Sequence, residues 1–238
     1  MNFRKTISFT LAETLIVMGV IGIVSALTLP NLNSSTGQKE KVAKVKKIYQ
    51  NLSDALGRAE AVYGPLDEWF INDSTPYDKT KRAGERITEF MKISKSCPTT
   101  SATGCMTTGT YKNISGTHYV GTLVDSNSIS YLLADGTALT ISSASSTGFE
   151  LYIDIDGPNK GEFKYGVDLF RFSANKNKGI YYSSYGSSPT CCTNDGAGNF
   201  GCEAWIIENE NMDYLKADKK TGKCPNGKVL SNTVTSCK

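Results

Sequence analysis

Between residues 14 and 38 the chain carries no charged side chain, and the first part of that run is almost entirely Leu, Ile, Val, Met, Gly and Ala. The apolar segment at residues 9–29 is 21 residues long. As an α-helix rising about 1.5 Å per residue it covers roughly 31 Å, the hydrocarbon thickness of a bilayer. The remainder is ordinary: of 238 residues 39% are hydrophobic, with 26 basic and 23 acidic side chains. That composition excludes a disordered, collagen-like or multi-span membrane chain. A mean hydropathy of −0.28 therefore averages an apolar N-terminus with a polar body, one ordinary domain plus an appendage. Two of the basic residues, Arg4 and Lys5, precede the apolar run, and the body without them is close to neutral, which does not advertise a polyanion partner.

All seven cysteines lie at or after Cys97, beyond the apolar segment. Cysteines confined to the polar body indicate folding in an oxidising compartment. The single histidine, His118, argues against histidine-rich zinc sites and leaves any Ser-His or Cys-His mechanism one possible base. Composition points away from an enzyme, and no catalytic residues are assigned.

The chain begins MNFRKTIS and continues FTLAETLIVMGVIGIVSALTLP. A secretory signal peptide places its small-residue cleavage site after the apolar core, whereas here Ser8 comes before it. A signal anchor, or a cut near Ser25-Ala26, accounts for the hydrophobicity and the basic flank but not for Glu13. A carboxylate within an apolar span costs about 2.5–3.5 kcal/mol even on lenient scales and persists where it has a partner. Cleavage between Ser8 and Phe9 would create one, an α-amino group about one helical turn from Glu13 or facing it from a neighbouring subunit.

This segment resembles the N-terminus of the type IV pilin and pseudopilin family. Phe9 matches the N-methylated first mature residue, with Thr10 and Leu11 following. Glu13 matches the family glutamate at the fifth position after the cut, Gly22 a common glycine at the fourteenth, and Pro30 the proline at the twenty-second. Departures are Ser8 where glycine is usual, and Ala12 and Thr14 where bulky aliphatics are usual. The resemblance implies an α+β, pilin-like fold, with a long N-terminal helix whose first half spans the membrane and an antiparallel sheet as the head. It divides the chain into a leader at 1–8, a transmembrane and filament-core helix at 9–30, an amphipathic continuation at 31–64 and a head at 65–238. Implied partners are a prepilin peptidase, other pilin or pseudopilin subunits and an inner-membrane assembly platform. The implied location is single-pass in the inner membrane with the head in the periplasm or outside the cell, and in a filament after assembly.

Pro30, followed by Asn31, Asn33, Ser34, Ser35, Thr36 and Gly37, predicts with Gly22 a kinked or locally melted helix. Val42, Val45, Ile48/Tyr49, Leu52, Ala55/Leu56, Ala59 and Val62/Tyr63 recur at helical spacing, and Gly64-Pro65 ends the stripe. Lys39, Lys41, Lys44, Lys46 and Lys47 form a basic face that could meet lipid headgroups or nucleic acid; without interleaved aromatics it reads as a solvated face. A second helix is predicted over residues 77–94, entered through Ser74-Thr75-Pro76. Strands follow: ISYLLA and TALTI around Asp135-Gly136 as a hairpin, then FELYIDI and VDLFRF. Serine-rich segments at 142–147 and 183–188 read as exposed loops.

Local spacing pairs Cys97 with Cys105, Cys191 or Cys192 with Cys202, and Cys224 with Cys237. Each bridge would contribute roughly 2–4 kcal/mol by constraining the unfolded chain, and one cysteine is left over. No CxxC occurs, which removes the thioredoxin-like reading. At residues 154–168, Asp154, Asp156, Asn159 and Asp168 surround a glycine-rich turn. Oxygen donors at alternating positions suit calcium, and the family resemblance adds that some heads carry it, but the EF-hand spacing is missing. A turn capped by Asp side chains is the expected arrangement, with calcium the only cofactor considered. The resulting expectation is a structural subunit of a type IV pilus or type II secretion pseudopilus, serving secretion, adhesion or DNA uptake. The alternative is a non-polymerising membrane-anchored binding protein, an adhesin or DNA receptor.

Overall fold

The computed structural model describes residues 11–97, 102–107, 109–114, 116, 119–121, 123–182, 201–218 and 221–238, with only the backbone described at 25–36 and 119–121. The chain separates into two units, one up to Glu40 and a larger one from Lys41 to the C-terminus.

Helix α1, Leu11–Tyr63, runs 53 residues and passes through Gly22 and Pro30 with its helical assignment unbroken. The locally melted stretch expected there is absent from the backbone. In the first unit every large apolar side chain from Leu11 to Val24 is more than half exposed. Among the described residues no helix is long and apolar enough to cross a membrane. The predicted span over 9–29 is therefore not met within what is described.

In the second unit the predicted stripe is buried: Val45, Leu52, Ala55 and Ala59 have no accessible surface, and Val42, Ile48 and Leu56 very little. Val62 at its end stays 61% exposed, outside the core. Gly64 ends the helix at φ +80°, a left-handed conformation that costs glycine nothing. A 3-10 turn at Leu66–Glu68 then seats Trp69, whose indole N–H donates to the Gly64 carbonyl at 2.8 Å.

Helix α2, Pro76–Thr88, starts as its sequence dictates, with Thr75 Oγ1 accepting the Asp78 N–H and proline in the first turn. It is shorter than the predicted 77–94. Tight turns from Phe90 N–H to Ile87 and from Met91 N–H to Thr88 close it. The chain then enters strand β1, Ile93–Cys97, because residues 93–97 pair with a strand more than thirty positions later, a long-range partner that helical periodicity cannot register.

Strands β2 (Tyr111–Lys112) and β3 (Tyr119–Gly121) form a separate ribbon. β4 (Ile129–Leu133), β5 (Ala138–Ser142), β6 (Gly148–Asp154), β7 (Leu169–Asn175) and β8 (Gly179–Tyr181) complete the main sheet. Its order is β1-β4-β5-β6-β7-β8 and every pairing is antiparallel. The β4–β5 hairpin turns at Asp135-Gly136 as predicted, with Gly136 at φ +87°. Tyr49 of α1 stacks on Phe172 of β7 at 5.6 Å between ring centroids, placing the buried stripe against the sheet. Helix α3, Cys202–Asn209, for which the sequence gives no prediction, starts at a cysteine of the predicted pairs and buries Ala204, Trp205 and Ile206. The protein is α+β, with an antiparallel six-stranded sheet and disulfides.

Candidate functional site

Ser8 and Phe9 lie outside the described residues. Glu13 stands in the first described turn of α1, among the exposed apolar side chains. Gly22 lies in the same helix, and a Cβ there would meet nothing within 4 Å, so no neighbour among the described residues requires glycine at that position. At Pro30 only the helical backbone is described.

The lysine face of α1 is partly solvated, as its sequence suggested, and it also makes ion pairs with the head. Lys41 reaches Asp156 at 3.1 Å, Lys47 reaches Asp135 at 2.9 Å, and Lys46 pairs with Glu210. Three lysines thus bind three separate parts of the head: the turn after β6, the β4–β5 hairpin and the end of α3. A basic face whose charges are met by carboxylates of the same chain has less left to offer nucleic acid.

The acidic turn is built from its carboxylates. Asp154, at the end of β6, has no accessible surface. Its Oδ1 accepts the N–H groups of Asp156 and Gly157 at 3.1 Å each, and its Oδ2 accepts the Tyr111 hydroxyl at 2.6 Å. Burial pushes the Asp154 carboxyl up to about 7, opposed by the Tyr111 hydrogen bond and reinforced by the charge of Asp168. Asp168, also inaccessible, accepts the N–H groups of Glu162, Phe163 and Lys164. Burial raises it too, against those three N–H groups and the Lys41 ammonium. Asn159 is exposed at φ +61°, and its own N–H donates to Thr107 Oγ1 at 2.9 Å. The expected turn capped by Asp side chains is what forms; among the described residues no cluster of His, Cys, Asp or Glu could hold a metal ion.

A second buried carboxyl carried no sequence signal, since its partners are remote in the chain. Glu203, in the first turn of α3, is inaccessible, and its Oε2 accepts the Tyr165 hydroxyl at 2.6 Å. Oε1 has no hydrogen-bond partner among the described residues. Burial pushes this carboxyl up to about 7, with the Tyr165 hydrogen bond opposing it. Tyr111 is equally unmarked and Lys41 stands out only as part of the basic face, because each meets its partner only through the fold.

Cys97–Cys105 and Cys224–Cys237 are bonded as predicted, with Cα atoms 6.2 and 5.4 Å apart. Cys202 is also disulfide-bonded; Cys191 and Cys192, its expected partners, lie outside the described residues. A cleft of about 480 Å³ beside α1 has Phe90, Met91, Leu133 and Ala134 in its wall and the Lys47–Asp135 pair at its rim.

No family model, no curated protein and no solved structure matches the chain.

Proposed function

We propose that the protein is a pilin-like structural subunit, processed by a prepilin peptidase between Ser8 and Phe9 and polymerised through its N-terminal helix into a type IV pilus or type II secretion pseudopilus. The observation that carries this reading is Glu13, a single carboxylate in an apolar stretch, five positions after a small residue that follows a basic leader. Further support comes from the continuity of α1 over Leu11–Tyr63, apolar and exposed at one end and packed under a sheet at the other. Before assembly the subunit waits in the inner membrane with its head outside the cytoplasm, where disulfides form. Extraction by an assembly platform then moves the helix among like helices, where Glu13 meets a neighbour's N-terminal amine and fixes the register.

The mature N-terminus is the direct test. Mass spectrometry of protein from native membranes should find a chain beginning at methylated Phe9. Intact Met1 defeats the proposal and leaves a membrane-anchored binding protein; a terminus near Ala26 defeats it too, the apolar run then having been removed as a signal peptide.

A further inference from the structure

The C-terminal segment from α3 onward is braced against itself. Cys224–Cys237 closes its end, and Asp213 Oδ2 accepts the Ser236 hydroxyl at 2.6 Å and the Cys237 N–H at 2.9 Å. Asn211 accepts the Trp205 indole N–H and donates to the Thr235 carbonyl, each at 3.0 Å. Two hydrogen bonds to the rest of the head gather at the turn that enters β7. Tyr214, in the 3-10 turn Asp213–Leu215, donates to the Gly166 carbonyl at 2.7 Å, and Tyr165 donates to Glu203 Oε2 at 2.6 Å. Gly166 permits the close approach, since a Cβ there would lie 2.5 Å from Cys202 Sγ. A further tie, Lys46 to Glu210, is exposed enough to contribute little.

Glu203 sits inside this joint with no accessible surface, and its Oε1 has no hydrogen-bond partner among the described residues. The groups that face it are Tyr165 from the turn, Tyr214 from the 3-10 turn and Arg171 from β7, whose guanidinium reaches Glu150 at 3.2 Å. Tyr165, Arg171 and the N–H groups of Gly201 and Glu203 favour the anion, but burial outweighs them. As a neutral acid the side chain keeps its bond to Tyr165 and leaves bare an oxygen that carries no charge. As an anion it holds a buried charge on an oxygen without a donor, a cost that opening to water relieves.

We propose that Glu203 is a proton-operated latch: protonated, it seats α3 and the C-terminal segment on the Tyr165 turn, and ionised, it lets that segment open locally while the six-stranded sheet stays folded. Opening bares Ala204, Trp205 and Ile206, which the closed joint buries. The carboxyl has its ordinary value of 4.5 in the open segment and about 7 in the closed one. Opening therefore becomes about tenfold easier per pH unit across that interval and no easier above it. The latch belongs to the head alone and does not rest on the assembly reading.

Amide hydrogen exchange of the full chain in detergent micelles, corrected for the intrinsic effect of pH, reads this opening. Protection of the α3 amides should fall about a hundredfold from about pH 5 to about pH 7.5 and level off above, while β5 stays roughly tenfold or more better protected throughout. Glu203→Gln cannot ionise and should hold α3 protection constant over the same range. Exchange of α3 and β5 together at every pH, α3 protection flat with pH in the wild type, or the same fall persisting in Glu203→Gln would each overturn the proposal. If Glu203→Gln does not fold, Tyr165→Phe decides. Loss of a donor to the anion should move the fall to higher pH, and a fall at the wild-type pH refutes the latch.

Discussion

Two carboxyls set an unusual pH dependence for the head. Asp154 is raised from 3.8 and Glu203 from 4.5, each to about 7, and in both burial is the leading cause. An acid whose folded pKa exceeds its unfolded value binds its proton more tightly in the native state. The native state is therefore favoured below the unfolded pKa and loses that advantage as pH climbs to the folded one. For these two groups stability falls between about pH 4 and pH 7, at up to about 1.4 kcal/mol per pH unit for each group. Asp73 and Asp213 act in the other direction, held low by the Arg82 and Lys216 side chains against burial, and lose their contribution only as pH falls through the acid range below 3.8. Unfolding midpoints should accordingly be higher near pH 5 than near pH 7.5. Glu203→Gln, which keeps the shape and cannot ionise, should reduce that difference, leaving the part that belongs to Asp154. A midpoint that rises steadily from about pH 5 to 7.5 in both proteins would contradict the assignment.

At the scale of elements, α1 is held to the head by its apolar stripe more than by its lysines. Leu52 is inaccessible at the centre of that stripe, so Leu52→Ala should destabilise the head by about 2–5 kcal/mol through lost transfer free energy and a residual cavity. Raising salt should cost far less, since the Lys46–Glu210 and Lys47–Asp135 pairs are substantially exposed. Denaturant titration distinguishes the two; a Leu52→Ala loss no larger than the salt effect would place the helix outside the core. The stripe, the Thr75-Pro76 start of α2 and the Asp135-Gly136 turn were legible because each is written within a few residues. Strand β1 lies where the sequence predicts helix, and α3 carries no sequence signal, because what decides them is distant: β1 pairs with β4, and α3 packs near β7. The same limit hid Lys41 from its carboxylates, Tyr111 from Asp154 and Tyr165 from Glu203, pairs separated in sequence by 43 and 38 positions in the last two cases.

For the whole molecule, the proposed function turns on one charge at the apolar end of α1. The carboxylate of Glu13 costs a few kcal/mol in a hydrocarbon environment, and an amine supplied by cleavage before Phe9 in a neighbouring subunit would offset that cost only in the assembled state. Glu13→Leu removes the cost of insertion and the gain on assembly together. Membrane insertion should therefore persist, and subunit addition should weaken about tenfold for every 1.4 kcal/mol of lost pairing. Leader removal should continue, because the bond after Ser8 lies about one helical turn from position 13. The head should be unaffected, since its core begins at Val42. The comparison is between wild type and Glu13→Leu for mature N-terminus, for the unfolding midpoint of the head, and for filaments or crosslinked multimers recovered from sheared cells. Normal processing and an unchanged midpoint with multimers lost would place the defect in assembly; multimers at wild-type yield would refute the pairing role and leave the chain as a membrane-anchored receptor.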